Sequence, residues 1–222
     1  MAEHSETSMI ENPEIVVPPA DKSTTKWVVI GSIALVLGLL VGWGLLQLVK
    51  RPYIYHGTVI QSPTPAANFT LTGAGGKAVS LHDFRGKVVL LYFGYTYCPD
   101  VCPATMVELK KAMQVLGDDA DKAQVILISV DPDRDTPEKL AEYVTHFNPN
   151  FIGLTGSDDE IAGAATPFGI FYEKHPGSVE SGYLIDHTAS VVVINPDGYL
   201  RVVYPFDTPG EAIAADIQEM AK

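Results

Sequence analysis

Both cysteines of this 222-residue chain lie in one stretch, GYTYCPDVCP, at positions 98 and 102. A disulfide between them would close a loop too short to restrict the unfolded chain much, so stapling is a weak reason to place the whole thiol content in one proline-flanked turn. Thiolate chemistry explains the placement better, because the thiolate is both the nucleophile and the metal ligand. Three intervening residues let the sulfurs open around an ion and still close to a disulfide. Spacing therefore leaves redox exchange and metal binding both open. Two thiolates under-coordinate most metals, so a metal site needs a third ligand, preferably an imidazole.

Six histidines compete for that role. His4 lies in an N-terminal tail and His56 in a linker, and His82, His146 and His175 lie in polar segments or at helix ends, where exposed or capping roles are expected. His187 differs. The segment YLIDHTASVVVI places it just before an inner strand, in a loop that can face the cysteine turn. Asp186 beside it either orients the ring or stands exposed, with equal weight. Met106 follows Cys102 at helical spacing and is read as core packing, as are Tyr92, Phe93 and Tyr95. Asp131, Asp133, Asp135 and Glu142 match calcium-loop positions, but Thr136 occupies the required glycine position and Pro137 starts a helix, which excludes calcium.

The elements that must position these groups follow from patterning. The run VVLLYF, residues 88–93, reads as a strand buried on both faces that delivers the chain to Cys98. Pro103 suits the first turn of a helix carrying Met106, Leu109, Met113 and Leu116 on one face. The helix start favours thiolate over thiol. A second buried strand covers 125–130. Thr136 caps a helix reaching about Phe147, and Ser157 with Glu160 has capping-box spacing. A further short strand is expected, then a hairpin of ASVVVI and YLRVVYPF turned by NPDG, then a helix near Pro209. NFTLTGAGGKAVSL reads as a small hairpin ahead of the main sheet. The sum is one α/β domain with a mixed sheet covered on both sides.

Upstream, Trp27 to Val49 is uncharged and long enough to cross a bilayer core of about 30 Å as a helix. No small-residue cleavage site follows, so an uncleaved membrane anchor is expected rather than a secretory signal. Basic residues tie across the span, Lys22 and Lys26 against Lys50 and Arg51, and leave orientation open. Residues 1–26 are expected to be a disordered tail, 27–49 the anchor, 50–65 a linker and 66–222 the folded domain. Residues 52–222 carry 11 Lys plus Arg and 22 Asp plus Glu, hence 11 − 22 = −11. That charge disfavours nucleic acid and anionic lipid surfaces as partners.

Three separated motifs, FTLTGAGGKAVSLHDFRGKVVLLYFGYTYCPDVCP, SVDPDRDTPEKL and GYLIDHTASVVVINPDG, resemble the SCO/SenC family over about residues 66–222. The resemblance implies a thioredoxin-like three-layer fold with a mixed sheet and an added N-terminal hairpin, preceded by one transmembrane helix. It implies copper, as Cu(I), Cu(II) or both, held by Cys98, Cys102 and His187. It implies a metallochaperone assisting the binuclear copper centre of cytochrome c oxidase subunit II. The implied partners are that subunit's copper domain and other periplasmic copper chaperones. A bacterial inner membrane with the domain in the periplasm is expected over a mitochondrial one, since no Arg-rich, acid-poor transit segment precedes the anchor. In the family motif Asp131, Arg134 and Asp135 shape loops near the site, while plain capping and loop hydrogen bonds are an equal reading. Tyr97 departs from the family, many of whose members have histidine there. The alternative function is a thiol-disulfide oxidoreductase in which Cys98 and Cys102 are catalytic, reducing the oxidase subunit's cysteines or acting in redox signalling. Peroxide reduction is disfavoured because the threonine-cysteine pairing usual for it is missing. Zinc suits the same ligands, and only the resemblance favours copper.

Overall fold

The computed structural model describes residues 22–49, 52–177 and 182–222. It divides into two units, one ending at Pro52 and one running from Tyr53 to Lys222. In the first, α1 (Lys22–Val49) is a single helix, long and apolar enough over Lys26–Leu46 to cross a membrane. Most of the tail expected over 1–26 lies outside the described residues.

The second unit runs β1 (Thr58–Val59), β2 (Thr70–Thr72), β3 (Ala78–Ser80), β4 (Val88–Gly94), α2 (Val101–Leu116), β5 (Ala123–Ser129), α3 (Pro137–Thr145), β6 (Ile152–Leu154), α4 (Asp158–Ala165), β7 (Tyr172–Pro176), β8 (Tyr183–His187), β9 (Val191–Ile194), β10 (Leu200–Tyr204) and α5 (Gly210–Met220). Its main sheet has the order β1-β10-β9-β4-β5-β6. Strands β4, β5 and β6 are parallel, and β9, β10 and β1 continue from β4 as antiparallel neighbours. Every residue of β4 and β5 is buried. Since strand side chains alternate between faces, both sides of the sheet centre are covered. The expected hairpin appears as β2 paired with β3, apart from the main sheet.

The helices begin where the sequence places caps. Thr136 Oγ1 accepts the Lys139 N–H ahead of α3, and Ser157 and Glu160 form a reciprocal capping box on α4. On α2, Met106, Leu109, Met113 and Leu116 all face the core. Helix α5 meets α2 closely: a Cβ on Gly210 would come within 2.4 Å of the Glu108 carbonyl oxygen.

Two features differ from the sequence reading. Residues expected as a linker fold onto the domain from Tyr53 onward. Thr58 and Val59 pair with Val203 and Val202, and Pro65 bridges Tyr199. The cause is Asp216, which is fully buried on α5 and needs donors. It accepts hydrogen bonds from Tyr53 Oη at 2.8 Å, the His56 backbone N–H at 2.9 Å and Tyr204 Oη at 2.9 Å, with His56 Nδ1 at 2.8 Å. The other difference is a separate two-stranded ribbon, β7 with β8, which pairs Tyr172 with His187 and Pro176 with Tyr183. Only Ile185 of the ribbon is fully buried, so its alternation carried little apolar signal.

Candidate metal centre

Strand β4 ends at Gly94, and the chain turns through residues 95–100 into α2. The Cys98 N–H donates to the Tyr95 carbonyl at 3.4 Å, closing the turn. Cys102 sits in the first turn of α2, fully buried, and its N–H donates to Cys98 Sγ at 3.3 Å. That bond uses one of the N–H groups a helix start leaves unpaired. Gly94 is required here by space: a Cβ would lie 3.0 Å from Cys102 Sγ and 2.9 Å from the Tyr92 ring. Cys98 is only partly buried and forms the outer sulfur.

The imidazole arrives from the ribbon. His187 is the last residue of β8, not a loop residue as its sequence context suggested. Its Nε2 lies 3.3 Å from Cys102 Sγ, and the rings of Tyr92 and Tyr95 meet it edge-on, each 5.9 Å away between centroids. The donor atoms of Cys98, Cys102 and His187 all lie within 4.8 Å of one another, the only such three-donor group of cysteine, histidine and carboxylate residues among those described.

Asp186, adjacent on the strand, points away from the ring. It is exposed and pairs with His175 at 3.3 Å, so of its two expected roles it takes the exposed one. Met106 is buried in the core, as expected. Tyr92 and Tyr95 do more than pack, because they fix the plane of His187. His56 is committed to Asp216, and His82, His146 and His175 stand outside the donor group.

The two thiols share a proton unequally. A hydrogen bond from Cys102, then the His187 ring and the backbone N–H groups of Asp100 and Cys102, hold the Cys98 thiol down to about 3 against the opposing effect of burial. The Cys98 thiolate, then burial, push the Cys102 thiol up. Both directions favour the outer sulfur as the thiolate and the inner one as the thiol.

The loop between β5 and α3 surrounds this group without donating to it. Asp135, fully buried, accepts hydrogen bonds from Thr96 N–H at 3.0 Å, Thr96 Oγ1 at 2.5 Å and Ser129 Oγ at 2.7 Å. Asp131, also fully buried, accepts from Arg134 Nε at 2.5 Å and Tyr183 Oη at 2.5 Å. Arg134 Nη1 donates to the Tyr183 carbonyl at 3.1 Å. The guanidinium stacks on the Tyr183 ring at 3.7 Å and reaches the Tyr97 ring at 4.6 Å. The sequence singles out Asp131, Arg134 and Asp135, with no reason to prefer a site role over capping, and gives no signal for Thr96, Ser129 or Tyr183. Tyr97 is half exposed under Lys139 Nζ, 3.7 Å from its ring centre.

Two sulfurs and one imidazole form a soft donor set suited to Cu(I), and also to zinc, while carboxylates that would suit calcium or magnesium are absent from it. The mixed sheet, with the cysteine turn at the carboxyl end of its central strand, has the thioredoxin-like fold of the solved Sco structures it superposes on. Within that fold, the sequence pattern of SCO1/SenC matches residues 59–222, and the chain belongs to that family. It is 34% identical over 160 residues to the mouse mitochondrial SCO2 homologue, covering 71% of this chain and 63% of that protein. A Rickettsia felis SCO2-like protein is 31% identical over 188 residues, covering 81% of this chain and 92% of its own length. The structure of Bradyrhizobium japonicum ScoI with copper bound superposes with a TM-score of 0.65 at 38% identity, over 71% of this chain and 99% of that one. The chain spans less than two thirds of the length of the mammalian mitochondrial relatives it matches.

Proposed function

We propose that this chain is a copper metallochaperone in which Cys98 Sγ, Cys102 Sγ and His187 Nε2 hold one copper ion and pass it to the copper domain of cytochrome c oxidase subunit II. The observation that carries this reading is the convergence, within 4.8 Å, of two neighbouring cysteines and a histidine 85 positions beyond the second. Thiolates favour Cu(I), imidazole accepts either oxidation state, and three ligands leave a position for an acceptor's ligand. The copper-bound Bradyrhizobium japonicum relative supports the choice of metal. BsSco, described as having a disulfide switch and as a member of the Sco family of cytochrome c oxidase assembly proteins, supports the choice of acceptor; it is 26% identical with a TM-score of 0.58. In this reading residues 27–49 anchor the protein in a bacterial inner membrane, and the domain works in the periplasm with other copper chaperones among its partners.

A second reading rests on the unequal thiol pair. The Cys98 thiolate attacks a target disulfide, forming a mixed disulfide and releasing one target thiolate. Cys102, after losing its proton, attacks Cys98 sulfur and releases the second target thiol. The target gains two electrons and the chain ends as the Cys98–Cys102 disulfide.

Anaerobic Cu(I) titration of the reduced full chain in detergent, read by X-ray absorption, tests the main proposal. One ion with sulfur and nitrogen neighbours is expected, displacing zinc if zinc is bound first. Stoichiometric copper with an unchanged spectrum in the Cys98→Ala/Cys102→Ala variant would overturn it. His187→Ala separates the readings: copper delivery collapses, whereas reduction of a disulfide peptide survives.

A further inference from the structure

The two halves of the donor group come from different sheets, yet one short segment touches both. Cys98 and Cys102 leave the main sheet at β4, and His187 ends the β7–β8 ribbon. Between them lies DPDRD, residues 131–135, which supplies no donor to the group.

On the cysteine side, the buried Asp135 carboxylate takes both the N–H and the hydroxyl of Thr96, two residues before Cys98. On the histidine side, the buried Asp131 carboxylate takes the Tyr183 hydroxyl, and Arg134 takes the Tyr183 carbonyl. Tyr183 starts β8 and His187 ends it, about 13 Å further along an extended strand. Midway, the Ile185 N–H donates to Tyr95 Oη at 3.2 Å, so β8 is held against the cysteine turn at a second point.

The two clamps are welded to each other. Asp135 and Arg134 N–H groups donate to the Asp131 carbonyl at 2.9 and 3.2 Å. Ser129 Oγ receives the Asp131 N–H at 3.0 Å and donates to Asp135 at 2.7 Å. Ser129, Asp131 and Asp135 are all fully buried. Buried carboxylates are costly unless every lone pair is matched, so a segment carrying two of them tolerates little displacement.

We propose that residues 131–135 are a positioning device that sets the sulfur-to-imidazole spacing: Asp135 holds the cysteine turn through Thr96, and Asp131 with Arg134 holds His187 through Tyr183. This inference rests on the donor set proposed above. It assigns Arg134, Asp131 and Asp135 as positioning residues: Asp135 and Asp131 act on one side of the site each, while Arg134 stacks on Tyr183 and also reaches the Tyr97 ring at 4.6 Å, so Tyr183→Phe is the variant that isolates the histidine side.

The test uses the full chain in detergent with two variants on the histidine side, Arg134→Lys and Tyr183→Phe, and one on the cysteine side, Asp135→Asn. Tyr183→Phe keeps the aromatic stack and removes one hydroxyl, so it reports even if Arg134→Lys folds poorly. In the copper-loaded protein, Tyr183→Phe loses nitrogen coupling to Cu(II) while keeping sulfur-to-copper charge transfer, Arg134→Lys loses the same coupling and also shifts the charge-transfer band through Tyr97, and both bind copper about 10-fold more weakly, the lower end of the loss when a ligand's outer partner is removed. Asp135→Asn shifts the charge-transfer band and keeps the nitrogen coupling. In the metal-free protein, proton contacts between the His187 ring and the Tyr92 and Tyr95 rings weaken in Arg134→Lys and Tyr183→Phe and persist in Asp135→Asn. Unchanged ring contacts in both histidine-side variants, or equal loss of both signatures in all three, would overturn the inference. Copper bound by the parent without sulfur or nitrogen neighbours would instead overturn the copper reading, and the metal-free arm would still judge the clamp.

Discussion

The cysteine half and the histidine half of the site are built by different means. The cysteines grow out of β4, whose residues are all buried, into α2, whose middle packs on α5. The histidine stands on a ribbon with one fully buried residue, fastened to the rest by tyrosine and carboxylate contacts. Hydrophobic burial therefore fixes most of one half, with the Asp135–Thr96 contacts added at its turn, whereas a polar network carries the other. A donor carried by a deep core is costly to displace, whereas one held by a few hydrogen bonds moves when those bonds change.

Substitutions in each half sharpen this contrast. Leu91→Ala, in the centre of β4, is expected to cost about 3 kcal/mol and lower the melting temperature by roughly 6–12 °C, read by thermal unfolding. A fall of a degree or two would contradict a core-fixed cysteine half. Gly94→Ala forces a methyl against Cys102 Sγ and the Tyr92 ring. It should cost about 2 kcal/mol and displace the sulfur pair, seen as altered metal spectra. Leu184→Ala, on the half-buried ribbon, should cost only about 1 kcal/mol, with faster amide exchange confined to residues 172–176 and 183–187. Exchange spreading into β4 would show that the ribbon and core unfold together.

The smallest effect is a flat pH profile. Cys98 is held down to about 3, so its thiolate persists from neutral pH to well below 5. Iodoacetamide should alkylate Cys98 at pH 5 nearly as fast as at pH 7, while Cys102, raised and buried, stays unmodified. A tenfold fall in Cys98 reactivity per unit below pH 8 would show an ordinary thiol.

The same contrast decides what could be read in advance. The run at 88–93, the Pro103 helix start, the Thr136 cap and the Asp197-Gly198 hairpin turn are local signals, and each element stands where its signal lies. His187 stands out locally by its place before an inner strand, but only the motif makes it a ligand, because no local pattern says that a strand end will meet a residue 85 positions earlier in the chain. The ribbon and the fastening of Tyr53 and His56 to Asp216 were illegible for a related reason. Their stability comes from hydrogen bonds across distances of 160 positions or more, or from exposed backbone pairing, and neither leaves an apolar period. Asp131 and Asp135 were visible as residues, but their burial, which gives them their role, was not.

The depth difference between the sulfurs gives any encounter a direction. A visitor meets Cys98 first, since Cys102 lies wholly beneath the surface. Replacing the inner thiol, as in Cys102→Ser, leaves a bait with no means of letting go: whatever forms a mixed disulfide stays attached, and mass spectrometry can read its identity from the captured peptide.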